Sequence, residues 1–223
     1  MFPPPSSRDL TPQQKVTQEW DAMAGEWDDL AAGYAAGFEK LLWSKIDVEQ
    51  AKDWSVLDFG CGTGLLTDRL RAKVSNIVAM DVSSQMVGML EEKILSQEWS
   101  NTRSLHCVLG ELDAAKPETK QAVEALFGTM DLIVASSVLT FIPEDDVAKT
   151  MDVLGKFLKP GGKLLHSDWT RSEAKHPNGM DEAKALSMYS MADLDPVSTE
   201  ILSLDAGGDT LDVFFGVAAK SLQ

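Results

Sequence analysis

Residues 56 to 67 read Val-Leu-Asp-Phe-Gly-Cys-Gly-Thr-Gly-Leu-Leu-Thr: an apolar strand ending in Asp58, then glycines at 60, 62 and 64, then a helix start. With no Cβ in the way, alternating glycines let the backbone turn tightly and lay its N–H groups against a ligand. The next apolar stretch ends in Asp81, 21 residues after Gly60, where a carboxylate can take the two hydroxyls of a ribose. Alone, Asp81 would read as the cap of a helix beginning near Ser84; behind the glycines it predicts a nucleoside ligand. A dinucleotide fingerprint, Gly-x-Gly-x-x-Gly, would put its last glycine at 65, where the chain has Leu65. Asp58 would also repel a pyrophosphate, and it suits a ligand that is locally cationic. A second candidate for chemistry is Leu165-His166-Ser167-Asp168-Trp169-Thr170. There an imidazole and a carboxylate share one side of an extended strand near its C-terminal end, where open α/β sheets bind ligands.

S-adenosylmethionine, with its sulfonium and ammonium, is a nucleoside of the required charge. At these residues a resemblance is plain. Val56 to Thr67 resembles the glycine-rich first motif of the class I S-adenosylmethionine-dependent methyltransferases, and Val78-Ala-Met-Asp81-Val-Ser-Ser resembles their second. The resemblance implies a cofactor cradle of Asp58, Gly60, Cys61, Gly62, Thr63 and Gly64, with Asp81 on the ribose. It further implies Val82 and Met86 against the adenine ring, Glu111 on the adenine amino group with Leu112 beside it, and backbone contact from Ser136. In the family the region before the first strand often folds over cofactor and acceptor, which makes Trp20, Trp27 and Tyr34 lid candidates, Trp27 next to the cofactor. Within the family the chain looks closest to the ubiquinone/menaquinone-type and small-molecule group. It departs from that group at Thr140, where His is frequent.

Methyl transfer is a displacement at an already activated carbon, so the protein has chiefly to align nucleophile, methyl and sulfur. A base is needed only when the nucleophile holds its proton well above neutral pH. His166, with Asp168, is either that base or a hydrogen-bonded structural histidine. His106 is expected in the core and His176, beside Pro177, in an exposed loop. No residue set suggests a bound metal.

These residues need a scaffold. The pattern after residue 50 alternates strand and helix, which predicts a three-layer α/β sandwich: a mostly parallel sheet with helices on both faces. Strands are expected at Ser55–Phe59, Asn76–Met80, Leu105–Leu109, Met130–Ala135 and Gly162–Ser167. Helices are expected at Leu65–Arg71, Ser84–Gln97 and Glu144–Leu158, the last stopped by Lys159-Pro-Gly-Gly. Thr199–Leu204 and Thr210–Ala219 flank a link too short for a helical crossover, so they form an antiparallel hairpin. Seven strands result, the last reversed, which resembles the family's fold. Residues 116 to 128 read as an extra helix. Met180, Met188, Tyr189 and Met191 read as a further helix, either simple packing or part of an acceptor pocket.

Residues 1 to 50 form a helical lid segment of the same domain, and residues 51 to 223 the methyltransferase domain. In the lid segment Trp20, Met23, Trp27, Leu30, Tyr34, Phe38 and Leu41 recur every three or four residues, one face of a helix over about six turns. Most of that stripe is expected in the core, with breaks at Gly25, Gly33 and Gly37.

The 223 residues, 44% hydrophobic, suffice for one such domain. The formal charge of −15 disfavours a polyphosphate partner, so nucleic acid is not expected. No apolar run approaches the ~20 residues that cross a bilayer, and Met1 to Arg8 lacks an apolar signal region. A soluble cytoplasmic protein is expected, monomer or homodimer, with Cys61 and Cys107 as reduced thiols. The function expected is methyl transfer from S-adenosylmethionine to O, N or S of a small molecule. The alternatives are a protein or peptide methyltransferase and a non-catalytic cofactor-binding subunit; a nicotinamide dehydrogenase is disfavoured by Leu65 and Asp58.

Overall fold

The computed structural model describes residues 10–222, so Met1 to Arg8 lies outside the described residues. Seven strands form one sheet: β1 Ser55–Phe59, β2 Asn76–Asp81, β3 Thr102–His106, β4 Met130–Ser136, β5 Leu158–Trp169, β6 Asp195–Asp205 and β7 Thr210–Ala219. Their order is β3-β2-β1-β4-β5-β7-β6. β1 to β5 pair in parallel, and β7 runs antiparallel to both of its neighbours. The helices are α1 Pro12–Met23, α2 Trp27–Lys45, α3 Val48–Ala51, α4 Leu65–Arg71, α5 Ser84–Ser96, α6 Pro117–Glu124, α7 Glu144–Phe157 and α8 Glu182–Met191. The expected three-layer sandwich with a reversed last strand is observed.

Strand alternation sorts the core into two halves. Leu57, Phe59, Met80, Ile133 and Leu164 pack towards α7 and α8; Val56, Ile77, Leu132, Val134 and Leu165 pack towards α2 and α4. The strand order reverses between β1 and β4, and a ligand crevice forms beyond the carboxyl ends of strands at such a switch point. Gly60 and Ser136 stand at those two ends.

Several boundaries differ from expectation for physical reasons. β3 is Thr102–His106, not Leu105–Leu109, because an edge strand needs no continuous apolar run. The apolar residues after it enter a loop and a 3-10 turn, Leu109–Ala114, that packs into the core. His106 is therefore exposed rather than core, its Nε2 3.1 Å from the Val82 carbonyl. Lys159-Pro-Gly-Gly does end α7, yet β5 runs through it with a register break opposite Met130 and Leu132. β6 begins four residues earlier than read. Residues 116 to 128 do contain a helix, the eight-residue α6.

The N-terminal stripe is the largest correction. Phe38 is fully buried and Tyr34 and Leu41 pack half-buried against the core, but Leu30 is 62% exposed and Met23 is exposed as well. The helix breaks once, at the 3-10 turn Ala24–Glu26. Gly33 and Gly37 continue α2 and serve close approach instead: a Cβ on either would stand 2.3 Å from a backbone oxygen of the β6–β7 turn region, that of Ala206 or Asp205. Among the described residues no helix is long and apolar enough to cross a membrane.

Candidate functional site

The turn after β1 is built for backbone approach. Gly60, Gly62 and Gly64 have φ of 72°, 54° and 89°, a region L side chains avoid, and Gly64 opens α4. Asp81, at the end of β2, ties this turn to the next loop: Oδ2 accepts from Gly62 N and Oδ1 from Ser83 N, both at 2.8 Å. Each oxygen keeps a lone pair on the cavity side. Burial raises the Asp81 pKa against the pull of these N–H donors. Asp58 accepts from Thr67 Oγ1 at 2.6 Å and is almost completely buried. Burial first, and then the Asp81 charge, push its pKa up to about 7. A cation placed beside it would hold it ionised. Positive-φ glycines, an outward-facing carboxylate, the apolar Val82 and Met86, and a buried acid in want of a cation fit a locally cationic adenosine.

The N-terminal segment closes over this cradle. Asp21 Oδ1 accepts from Ser83 Oγ at 2.6 Å and Gln85 N at 3.2 Å, at the start of α5. Asp28 accepts from Thr63 Oγ1 and, at 2.7 Å, from Lys93 Nζ, which also donates to Thr63 O at 3.0 Å. Burial opposes ionisation of Asp28, but Lys93 and Thr63 prevail and lower its pKa. Trp20 packs edge-on against Trp27 and Phe141, with ring centroids 5.3 and 5.2 Å apart. Two side chains rest on the glycines themselves. A Cβ on Gly62 would lie 2.8 Å from Trp27 Nε1, and one on Gly60 1.9 Å from Val138 Cγ2.

Two linked spaces remain. The cavity over Gly60, Gly62, Asp81, Val82 and Met86, roofed by Trp20 and Trp27, holds only about 70 Å³, well below the roughly 300–1,000 Å³ of ordinary ligand pockets. Admission of a nucleoside therefore requires the roof to lift. Beyond it a chamber of about 450 Å³ is walled by Trp20, Trp27, Tyr34, Phe141 and Trp169, with Asp58, Cys61, Ser136 and Ser137 at its base. Tyr34 and Ser167 share a hydrogen bond of 2.9 Å. Burial pushes the Tyr34 hydroxyl up to about 12, so it stays neutral. Ser137 has φ of 56°, and its buried hydroxyl approaches Tyr34 without a hydrogen bond of good geometry to any group.

The structure thus brings Trp27, Asp58, Gly60, Cys61, Gly62, Asp81, Val82, Met86 and Ser136 to the two spaces. Thr63 and Gly64 are buried beneath the turn, the first on Asp28 and the second at the start of α4. Glu111 lines a neighbouring cavity of about 360 Å³ with Gln13, Val82 and His106. Leu112 is buried in the α7-side core, away from all of these.

His166 and Asp168 meet each other and line none of these three cavities. The imidazole is fully buried, its Nδ1 2.7 Å from Asp168 Oδ2 and its Nε2 2.7 Å from the Tyr189 hydroxyl. Asp168 Oδ1 accepts from Thr140 N and Oγ1 at 3.1 and 3.2 Å. The reason is alternation: His166 and Asp168 point to the α8 side of β5, and only Ser167 points to the lid side. Gly216 on β7 makes room, since a Cβ there would lie 2.0 Å from the Tyr189 hydroxyl. Met180, Met188 and Tyr189 are buried packing rather than chamber wall. His176 is half-buried, stacked 4.9 Å from Trp169.

Asp21, Asp28, Lys93, Gln13 and the Tyr34–Ser167 hydrogen bond beside Ser137 were not singled out by sequence. The seven-residue spacing of Asp21 and Asp28, matching that of Trp20 and Trp27, was the available sign that one side of the N-terminal segment meets both the glycine turn and the loop after β2. Nothing local announces Ser137.

Fold and cradle together define a class: the seven-stranded, S-adenosylmethionine-dependent methyltransferases with a glycine turn after β1 and an acidic residue ending β2. The chain matches the Methyltransferase domain family over residues 24–195 and belongs to it. A curated relative, malonyl-acyl-carrier-protein O-methyltransferase 2 of Ilyobacter polytropus, is 27% identical over 158 residues, covering 70% of this chain and 54% of the relative. The chain thus spans about half the length of that protein. Among solved structures, magnesium protoporphyrin IX methyltransferase from Synechocystis with bound S-adenosylmethionine superposes with a TM-score of 0.67 at 15% identity, covering 97% of this chain and all of that one. The cyclase SpnF reaches 0.73 at 16%, covering 96% and 98%. At such identities these likenesses concern the fold.

Proposed function

We propose that the protein transfers the methyl group of S-adenosylmethionine to an oxygen of a small apolar or aromatic metabolite held in the chamber beside the glycine turn. The observation that carries this is the chamber: Gly60 and Ser136 border both it and the cavity over Asp81, Asp58 lies at its base, aromatic rings wall it, and no lysine or arginine is among its described lining residues. A partly aromatic acceptor suits such walls, and a polyanion does not. The relative named as an O-methyltransferase supports oxygen as the acceptor atom. Buried, unpaired Cys61 and Cys107 suit a reducing, cytoplasmic setting.

When bound, the cofactor supplies a methyl group activated by positive sulfur. The chain's residues do the rest. Asp81 takes the ribose hydroxyls on its cavity-side lone pairs, and Val82 and Met86 flank the base. Asp58 sets its negative charge against the cofactor's cationic end. Trp27 and Val138 cover the turn and exclude water. Tyr34, neutral at physiological pH, donates to the acceptor oxygen and orients it, with Ser137 Oγ as its neighbour. His166 and Asp168 hold the turn at Thr140 that presents Phe141, and the acceptor oxygen loses its proton to solvent before transfer.

The test is methyl incorporation from labelled S-adenosylmethionine into a fractionated metabolite extract. Labelled small apolar product from the native chain, and none from Asp81→Ala, is expected. Tight binding of NAD without binding of S-adenosylmethionine would refute the reading.

A further inference from the structure

Of the twelve residues of α1 one alone is buried, and it is an amide: Gln13 is 6% exposed. Buried amides normally satisfy both ends. Here Nε2 donates to Thr17 Oγ1 at a long 3.3 Å, and the carbonyl oxygen accepts no hydrogen bond among the described residues. Gln13 lines two spaces at once. One is the cavity over Asp81 and Met86; the other is the cavity of Glu111 and His106, and only Val82 is also common to both. Its position is set by the grip of Asp21 on Ser83 and Gln85, two turns along the same helix, and by the capping box of Thr11 and Gln14.

We infer that Gln13 is a cofactor-binding residue whose carboxamide hydrogen-bonds the edge of the adenine. The inference rests on the proposed cofactor. A nucleoside whose ribose lies on Asp81 and whose base lies against Val82 directs its base edge to where the two spaces meet. A carboxamide offers a donor and an acceptor side by side, the complement of an adenine N6 amino group and N7. On that same edge a hypoxanthine ring presents two acceptors, its 6-oxo group and N7, which one carboxamide cannot pair at once. Gln13 thus fixes the base identity, and α1 supplies part of the binding site rather than only a cover.

The experiment is titration calorimetry of the full chain with S-adenosylhomocysteine and S-inosylhomocysteine. Gln13→Met keeps size and removes both polar atoms; Gln13→Ala and Asp81→Ala are run beside it, with far-UV circular dichroism to check the fold. The inference expects Gln13→Met to bind S-adenosylhomocysteine about tenfold more weakly, and to lose a similar factor of its preference over the inosyl analogue. Unchanged affinity in Gln13→Met overturns it. So does an equal loss for both ligands, which would mean that α1 has merely loosened. Either result leaves the cofactor reading standing if Asp81→Ala still loses binding. Failure of the native chain to bind S-adenosylhomocysteine overturns both.

Discussion

The ends of β2 and β5 each carry a buried aspartate, and they are used in opposite ways. Asp81 accepts one backbone N–H on each oxygen and keeps the rest of its acceptor capacity turned to a cavity. Asp168 is surrounded by Thr140 N, Thr140 Oγ1 and His166 Nδ1, and it lines neither of the two spaces beside the glycine turn. Burial alone does not tell the two carboxylates apart; the side to which their unused acceptor capacity is turned does. β2 lies with its end at the open switch-point side, whereas the face of β5 that bears Asp168 is sealed by α8.

This contrast is open to experiment. Asp168→Ala leaves a buried imidazole and the Thr140 turn without their acceptor, and should destabilise the fold by about 2–4 kcal/mol in urea denaturation. Asp81→Ala should do the reverse, weakening S-adenosylhomocysteine binding by about 1–3 kcal/mol in calorimetry with a smaller effect on stability. If both variants lose stability alike and neither loses affinity, the contrast is broken. Asp58 gives an intermediate effect. Its folded pKa of about 7 lies above its ordinary 3.8, so the folded protein binds the extra proton between those values. Stability from this group therefore falls as pH rises from about 4 to 7. A cationic ligand reverses the shift and expels the proton, so S-adenosylmethionine should bind several-fold more tightly at pH 8 than at pH 6. Calorimetry in buffers of different ionisation enthalpy would detect that proton. The smallest effect belongs to the lid: Asp28→Asn weakens a half-exposed contact and should cost under about 1 kcal/mol, seen as faster ligand dissociation in stopped-flow fluorescence of Trp27. His166→Asn should leave the pH profile of methyl transfer unchanged.

The two aspartates also show what the sequence could reveal. Asp81 was legible because its partners are local: glycines on one side, a helix start on the other, and buried parallel strands that read as continuous apolar runs. β1, β2 and β4 accordingly fall within a residue of their expected places. β3 does not, because Thr-Arg-Ser-Leu-His at an edge carries no such run, and the apolar Cys107 to Leu109 drew the strand forward. For His166 and Asp168 the two-residue period correctly put both on one face. It could not say that α8 would cover that face, since Tyr189 arrives from 23 residues away. The chamber was the least legible part. Tyr34 and Ser167 are 133 residues apart, and the left-handed Ser137 belongs to a residue type that gives no warning of it.

The two N-terminal helices are fastened to the domain by different means. α2 lies with Gly33 and Gly37 directly against main chain at the end of β6, where the Leu204 side chain also packs on Gly37, and it buries Phe38 and Leu42 in the core. α1 is held by Asp21 and the ring of Trp20, bonds that can let go one at a time. Between them Gly25 faces open space, with nothing within 4 Å of where its Cβ would be. That makes α2 a doorpost and α1 the leaf hung on it. Of the roof over the proposed cofactor site, Trp20 belongs to the leaf and Trp27 stands at its hinge, whereas Tyr34, in the chamber wall, is carried by the post.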